Sequence, residues 1–190
     1  MANPILGVIV GSTRRGSLNR KLAEAIAKLM PGEFEVNFIR IDDLPMFSQD
    51  LEGDVPVAVT RLKAEIERAD ALLVVTPEHN RSIPAVLKNA IDWASRPYGR
   101  NSWNGKLVMV TGTTPGAIGT ALAQQHLRGV LGILGALVLG GEAYITSKPG
   151  LIDDAGRITD ATTRKFLQGF VDDLASVATR LAPEAQRSAA

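Results

Sequence analysis

The sequence predicts an α/β protein: a three-layer, doubly wound sheet of five parallel strands in the order 2-1-3-4-5, with right-handed crossovers. Three observations carry that prediction. Short, continuous apolar runs recur along the chain, as strands buried on both faces require. Segments with apolar residues at helical spacing separate them. No repeat, linker or low-complexity stretch interrupts the alternation, so residues 1–182 read as a single domain and 183–190 as a disordered tail.

The first strand is the run Ile5 to Val10, closed by Gly11-Ser12. A helix follows from Asn19, with Leu22, Ile26, Leu29 and Met30 at helical spacing, and Pro31-Gly32 ends it. Glu35 to Ile41 alternates around Val36, Phe38, Ile39 and Ile41, which suits a strand nearer a sheet edge. A polar loop leads to a surface helix from Val57 to Arg68, marked by Val57, Leu62 and Ile66, and Ala71 to Thr76 repeats the buried-strand signature. The second half predicts a helix over Ile83 to Ala94, a strand over Leu107 to Thr111, a helix over Ala117 to Leu134 and a strand over Leu137 to Tyr144. The last helix, Ala161 to Leu181, is expected to bury a stripe of Phe166, Phe170, Leu174, Val177 and Leu181.

Composition narrows the function classes. Apolar residues make up 45% and charged residues 22%, with a formal net charge of +1, so bulk charge points to no nucleic acid. There is no cysteine, which removes disulfides, thiolate nucleophiles and iron–sulfur ligation and leaves redox chemistry to a bound cofactor. His79 and His126 are the two histidines, and neither has metal-ligand spacing. The apolar run from Pro4 has no basic segment before it and stops at Gly11, short of a signal peptide or membrane span, so cytoplasmic residence is expected.

In this strand order a ligand belongs at the carboxyl edge of the sheet, on the loops after strands 1, 3 and 4. The first of these, Gly11 to Asn19, combines glycines, hydroxyls and cations at the start of a helix. Glycines let the backbone turn and present its N–H groups, and the helix N-terminus adds positive potential. Ser12, Arg14, Ser17 and Asn19, with the backbone of Leu18, are the candidate phosphate ligands. The loop matches neither the nucleoside-triphosphate P-loop nor the Gly-x-Gly-x-x-Gly fingerprint, so a monophosphate fits better. The competing reading makes Ser17 or Asn19 a helix N-cap and the arginines solvated surface; a cap and a phosphate use the same amides, so both can hold.

The loop after strand 3 starts Thr76-Pro77-Glu78-His79-Asn80-Arg81-Ser82 and runs through Pro84 into a helix. Two prolines stiffen it. His79 offers a flat face, and Asn80 offers both donors and an acceptor for the edge of a heteroaromatic ring.

Together the two segments, Gly11-Ser12-x-Arg14-x-x-Ser17-x-Asn19 and Pro77-Glu78-His79-Asn80-x-Ser82-x-Pro84-x-x-Leu87-Lys88-Asn89-Ala90-Ile91-Asp92-Trp93, resemble the NADPH-dependent FMN reductase family, in its bacterial quinone and chromate reductase branch. The resemblance spans about Pro4 to Leu181 and implies a flavodoxin-like fold. It implies FMN, with Ser12, Arg14, Ser17, Leu18 and Asn19 around the phosphate and Pro77, Glu78, His79, Asn80 and Ser82 around the ring. Thr111 and Gly112 would complete the pocket on the pyrimidine side, although their segment also reads as an ordinary strand-to-helix loop. Where this chain has His79 the family usually has tyrosine, and glycine is frequent at the positions of Arg81 and Ala85.

The activity so implied is ping-pong transfer of two electrons from NADPH or NADH, through flavin N5, to a quinone or a similar small acceptor such as chromate, an azo compound or free flavin. No side chain is assigned a catalytic role, because the cofactor performs the chemistry. Arg15, Arg81, Arg96 and Arg100 are candidates for drawing in an anionic substrate, with solvated surface charge as the alternative. Leu87, Ile91 and Trp93 read as core; the family also implies that their helix contributes to a homodimer. Glu142 matches a position associated with pairing of dimers into a homotetramer, where Leu122 and Gln125 replace an arginine and a tyrosine. The competing function is an FMN electron carrier that never meets a nicotinamide, and a further one is a flavin-free scaffold on the same fold.

Overall fold

Residues 3–182 are described by a computed structural model. The strands are β1 (Ile5–Val10), β2 (Glu35–Ile39), β3 (Ala71–Val75), β4 (Leu107–Thr114), β5 (Leu137–Val138) and β6 (Tyr144–Thr146). The helices are α1 (Leu18–Ala27), α2 (Val57–Arg68), α3 (Ala85–Ala94), α4 (Ala121–Ile133) and α5 (Ala161–Leu181). All strand pairs are parallel, in the order β2-β1-β3-β4-β5 as expected, with β6 also on β4.

The apolar runs make this sheet because their two alternating sets of side chains both meet helices. Leu6, Val8, Leu73, Val75 and Met109 face one layer with Leu22, Ile26, Leu167, Val171 and Leu174 of α1 and α5. Their chain neighbours Ile9, Leu72, Val74, Val108 and Val110 face the other, against Leu62, Ile66, Leu87, Ile91, Leu127 and Leu131 of α2, α3 and α4. Each such side chain buried contributes about 1.5–3 kcal/mol, which is why a run without polar alternation is stable only between two layers.

Four expectations are corrected. The fifth strand, expected over Leu137 to Tyr144, is two short pieces: β5 pairs with Leu107 and Val108, and β6 pairs with Gly112 to Thr114. Gly140 and Gly141 interrupt it, and the Arg128 guanidinium donates to the carbonyls of Leu139 and Gly141 that leave the ladder (2.7 and 2.5 Å). β4 runs three residues past its expected end, because β6 gives it a partner there. α4 begins at Ala121 instead of Ala117, since Gly119 and Thr120 have φ of +59° and +65°, outside a right-handed helix. The buried stripe of α5 is Leu167, Phe170, Val171, Leu174, Ala175 and Ala178, which leaves Phe166 and Leu181 half exposed. The small alanines let that face approach the sheet, and the aromatic at 166 turns outward to stack on Phe170. The tail 183–190 lies outside the described residues.

The motif on α3 has a structural function. Asn89 donates to the Pro45 carbonyl (2.9 Å) and accepts from the Phe47 amide (2.8 Å), and the Trp93 indole donates to the same Pro45 carbonyl (2.8 Å). These bonds fasten the long β2–α2 loop to α3, with the Phe47 ring edge-on to Trp93. Leu87, Ile91 and Trp93 are buried, as the core reading expects.

Candidate active site

At the carboxyl edge, the loops after β1, β3 and β4 enclose a cavity of 430 Å³. The end expected to hold a phosphate is built from Ser12, Thr13, Arg14, Ser17, Leu18 and Asn19, and the other end from Pro77, Glu78, His79 and Pro84. The wall from β4 is Thr113, Thr114 and Pro115. Eight of the predicted residues thus converge across 67 positions of sequence, from Ser12 to His79.

Ser17 caps α1: its hydroxyl accepts from the Arg20 amide (3.2 Å). The amides of Leu18 and Asn19 stand in the first turn, where a helix has no carbonyl of its own to offer them. Asn19 is buried; its amide oxygen accepts from the Thr113 N–H (2.9 Å) and its nitrogen donates to the Thr113 carbonyl (3.0 Å). That pair ties the start of α1 to the end of β4, so Asn19 holds the two walls of the cavity together and keeps one amide hydrogen for a ligand.

The second loop is a tight hairpin. His79 and Ser82 exchange both backbone hydrogen bonds (2.9 Å each), and the two residues between them have positive φ, +51° at Asn80 and +64° at Arg81. This is the two-residue turn that favours asparagine and glycine, and an arginine there carries strain. Glu78 compensates. Its side chain is 9% exposed, pairs with Arg81 (2.7 Å), and accepts from the amides of Leu122 and Ala123 (3.0 and 3.2 Å) at the start of α4. The Thr120 hydroxyl accepts from the Gln124 side chain (3.0 Å) and from no backbone N–H of that helix, so Glu78 caps it from the loop. Burial alone would raise the Glu78 pKa; the Arg81 guanidinium and the two amides outweigh it and hold the carboxyl below the usual carboxylate range. The Ser82 hydroxyl bonds His126 Nδ1 of α4 (2.8 Å).

Several expected site residues are elsewhere. Thr111 and Gly112 are inside β4, not in the cavity: the Thr111 hydroxyl donates to the Ala143 carbonyl (2.8 Å), and a β-carbon on Gly112 would stand 2.0 Å from the Thr76 carbonyl oxygen. The cause is the longer β4, which moves the open edge to Thr113–Pro115. Asn80 and Ser82 support the hairpin without lining the cavity. Arg15 is exposed outside it, and Arg81 is paired with Glu78. Arg96 and Arg100 are at the opposite edge, because α3 carries the chain about 15 Å back across the sheet; Arg96 pairs with Glu52 (2.7 Å), and the Arg100 carbonyl accepts from Lys63. Pro84, read in the sequence as a stiffener of the loop, also lines the cavity; Thr13, Val86, Thr113, Thr114 and Pro115 line it without having been singled out, and only the fold signals them. Among the described residues no group of acids and histidines is placed to hold a metal, and no helix is long and apolar enough to cross a membrane.

Comparison with known proteins places the chain in a family. Residues 5–149 match the family described as NADPH-dependent FMN reductase. The chain belongs to that family. It is 49% identical over 172 residues to a 2-hydroxy-1,4-benzoquinone reductase of a Burkholderia species, covering 90% of this chain and 94% of the relative. It is 46% identical over 173 residues to a quinone reductase of Pseudomonas putida, covering 90% and 92%. A solved flavoenzyme NAD(P)H:(acceptor) oxidoreductase from Paracoccus denitrificans superimposes with a TM-score of 0.90 at 47% identity, covering 93% of this chain and 98% of that one. The protein is thus a flavodoxin-like oxidoreductase whose cofactor is FMN and whose electron donor is NAD(P)H.

The residues present fit FMN. The phosphate end presents hydroxyls, the Arg14 guanidinium and first-turn amides, with no carboxylate among them. Glu78 is the one acid on the wall, and its charge is already met by Arg81 and the α4 amides. A dianionic phosphate therefore meets donors only.

Proposed function

We propose that the protein is an NAD(P)H:quinone reductase that works by ping-pong transfer, with a small quinone as its acceptor. The observation that carries this is the single cavity in which a donor-only phosphate end and a rigid hairpin face each other. Ser12, Arg14, Ser17 and the first-turn amides of Leu18 and Asn19 hold the FMN phosphate. Pro77, Glu78 and His79 border the ring, Asn80 and Ser82 fix the turn beneath it, and Thr113 takes the pyrimidine-side place expected of Thr111 and Gly112. When bound, the flavin supplies two-electron hydride chemistry. The protein residues supply position: Asn19 fixes the separation of the two walls, and Glu78 ties the hairpin to α4. None of them has to move a proton for the first half-reaction.

Identity of 44–49% to proteins named quinone reductases supports the acceptor class. Chromate, azo compounds and free flavin are further acceptors that an open flavin face would serve. Homodimer formation through the exposed side of α3, pairing of dimers into a tetramer near Glu142, and residence in the cytoplasm belong to the same proposal. In this chain Glu142 and Tyr144 both accept from or bond to Gln125.

The test is a visible spectrum of the purified protein, stopped-flow reduction by NADPH and by NADH, and reoxidation by 1,4-benzoquinone. Flavin absorbance with rapid reduction and reoxidation is the expected result. Protein that neither carries nor takes up FMN would overturn the proposal, and FMN that is reduced only by redox proteins would make it an electron carrier. Light scattering giving a monomer at micromolar concentration would remove the dimer.

A further inference from the structure

A second cavity, of 390 Å³, shares Leu18, Thr113 and Pro115 with the first and lies on the α1 side of them. Its remaining wall comes from α1 and from the segment after β6, which returns over it as Ser147 to Ile152. That segment is held in place. The Ser147 amide donates to the Thr114 carbonyl (2.9 Å), Ile152 bridges Ile158, and Thr159 donates through its hydroxyl to the Gly150 carbonyl (2.7 Å).

The lining has one chemistry. Leu22, Pro149, Leu151 and Ile152 make apolar walls, Lys21 and Lys148 are the only charged residues, and no acid borders it. Among the described residues neither ammonium is in a salt bridge with a carboxylate. Lys148 acts electrostatically on Asp160, but that carboxylate already accepts the Thr163 amide (2.7 Å) as the cap of α5. The shared wall adds a second observation. Thr113 is 4% exposed, and its hydroxyl oxygen is buried without a hydrogen-bond partner. A buried hydroxyl left so is destabilising, a cost a ligand atom would remove.

We infer that this cavity is a binding site for a small, flat, apolar monoanion of the aromatic carboxylate class, separate from the FMN site and in contact with it through Thr113. The volume falls within the range of small-molecule sites, about 300–1,000 Å³. The apolar walls take the ring, the two lysines take the carboxylate, and the Thr113 hydroxyl takes the remaining polar atom. A free phosphate would leave the apolar walls unused, and a neutral ring would leave both ammonium groups unanswered. Because Leu18, Thr113 and Pro115 line both cavities, an occupant would adjust the flavin environment without displacing it.

The experiment is isothermal titration of FMN-loaded protein, and of FMN-free protein, with benzoate and with its neutral isostere benzamide. Benzoate is expected to bind both forms with one site per chain, and benzamide about tenfold more weakly, the loss typical of one charge-assisted contact. Lys148→Met, an exposed substitution outside the FMN cavity, is expected to weaken benzoate about tenfold and leave the flavin spectrum unchanged. Ile152→Trp is expected to abolish benzoate binding by filling the cavity; should that variant not fold, the lysine variant still decides. Absence of benzoate binding, equal binding of benzamide, indifference to Lys148→Met, or mutual displacement of benzoate and FMN would each overturn the inference. The FMN-free arm keeps this result separate from the quinone reductase proposal, since the site is complete without flavin.

Discussion

The two ends of the cavity proposed for FMN are built in opposite ways. The phosphate end is a short loop whose functional groups are largely uncommitted: Thr13 and Arg14 are exposed, and the first-turn amides await an acceptor. The ring end is committed before any ligand arrives, through the His79–Ser82 exchange, the Glu78 cap of α4 and the Ser82–His126 bond. A monophosphate is nearly round and is held by charge, so its loop needs donors more than exact placement. A flat ring must be oriented for hydride transfer, and the cost of ordering its platform is met in folding, not in binding.

That contrast can be broken at its base by Gly112→Ala. The added methyl would stand 2.0 Å from the Thr76 carbonyl oxygen, at the point from which the ring loop departs. Overpacking of this kind costs about 1–3 kcal/mol and more where backbone cannot yield. A thermal melt should show the largest loss of the series, with FMN binding falling alongside it; an unchanged melting temperature would mean that the two strand ends are not rigidly apposed.

Arg14→Ala tests the uncommitted end. FMN affinity should fall on the order of tenfold to a hundredfold, the worth of a charge-assisted hydrogen bond, while the melting temperature of the FMN-free protein stays put. Equal losses of both would show the arginine to be structural.

Glu78→Gln tests the committed end, and should lower the stability of the FMN-free protein by about 1 kcal/mol through weakened capping and pairing. The pH dependence follows from the lowered Glu78 pKa. The folded state binds the proton less readily than the unfolded chain, whose carboxyl titrates near 4.5. The contribution is therefore complete above that pH and is lost as pH falls through the lower folded value. Melts from pH 7 down to pH 3 should converge for the two proteins at the acid end; parallel curves would remove Glu78 from the linkage.

Arg81→Gly should have the smallest effect. Glycine relieves the left-handed conformation at φ +64°, while loss of the half-exposed pair with Glu78 removes a contact worth about 0.2–1 kcal/mol. The two nearly cancel, and a stability change within about 0.5 kcal/mol is expected. Turnover with NADPH and with NADH should change by the same factor, because the guanidinium is already held by Glu78 and does not line the cavity.

The sequence by itself determined the layer architecture, the strand order and the two loops that meet at the carboxyl edge. Those follow from local rules: an uninterrupted apolar run such as Ala71 to Val75 must be covered on both faces, and glycine with hydroxyls before a helix leaves its amides open. Only the tertiary structure decided where β4 ends, because the pairing of Gly112 to Thr114 with β6 depends on a segment some thirty residues away. The same holds for Asn19, whose amide meets Thr113 across 94 positions, and for Glu78, whose carboxylate caps a helix 44 positions on. Arg96 and Arg100 follow the ring loop in sequence, yet α3 delivers them to the far edge of the sheet. The two loops proposed to hold FMN are thus legible in the chain. The wall that joins them, with the buried hydroxyl of Thr113 on it, exists only once distant strands have paired.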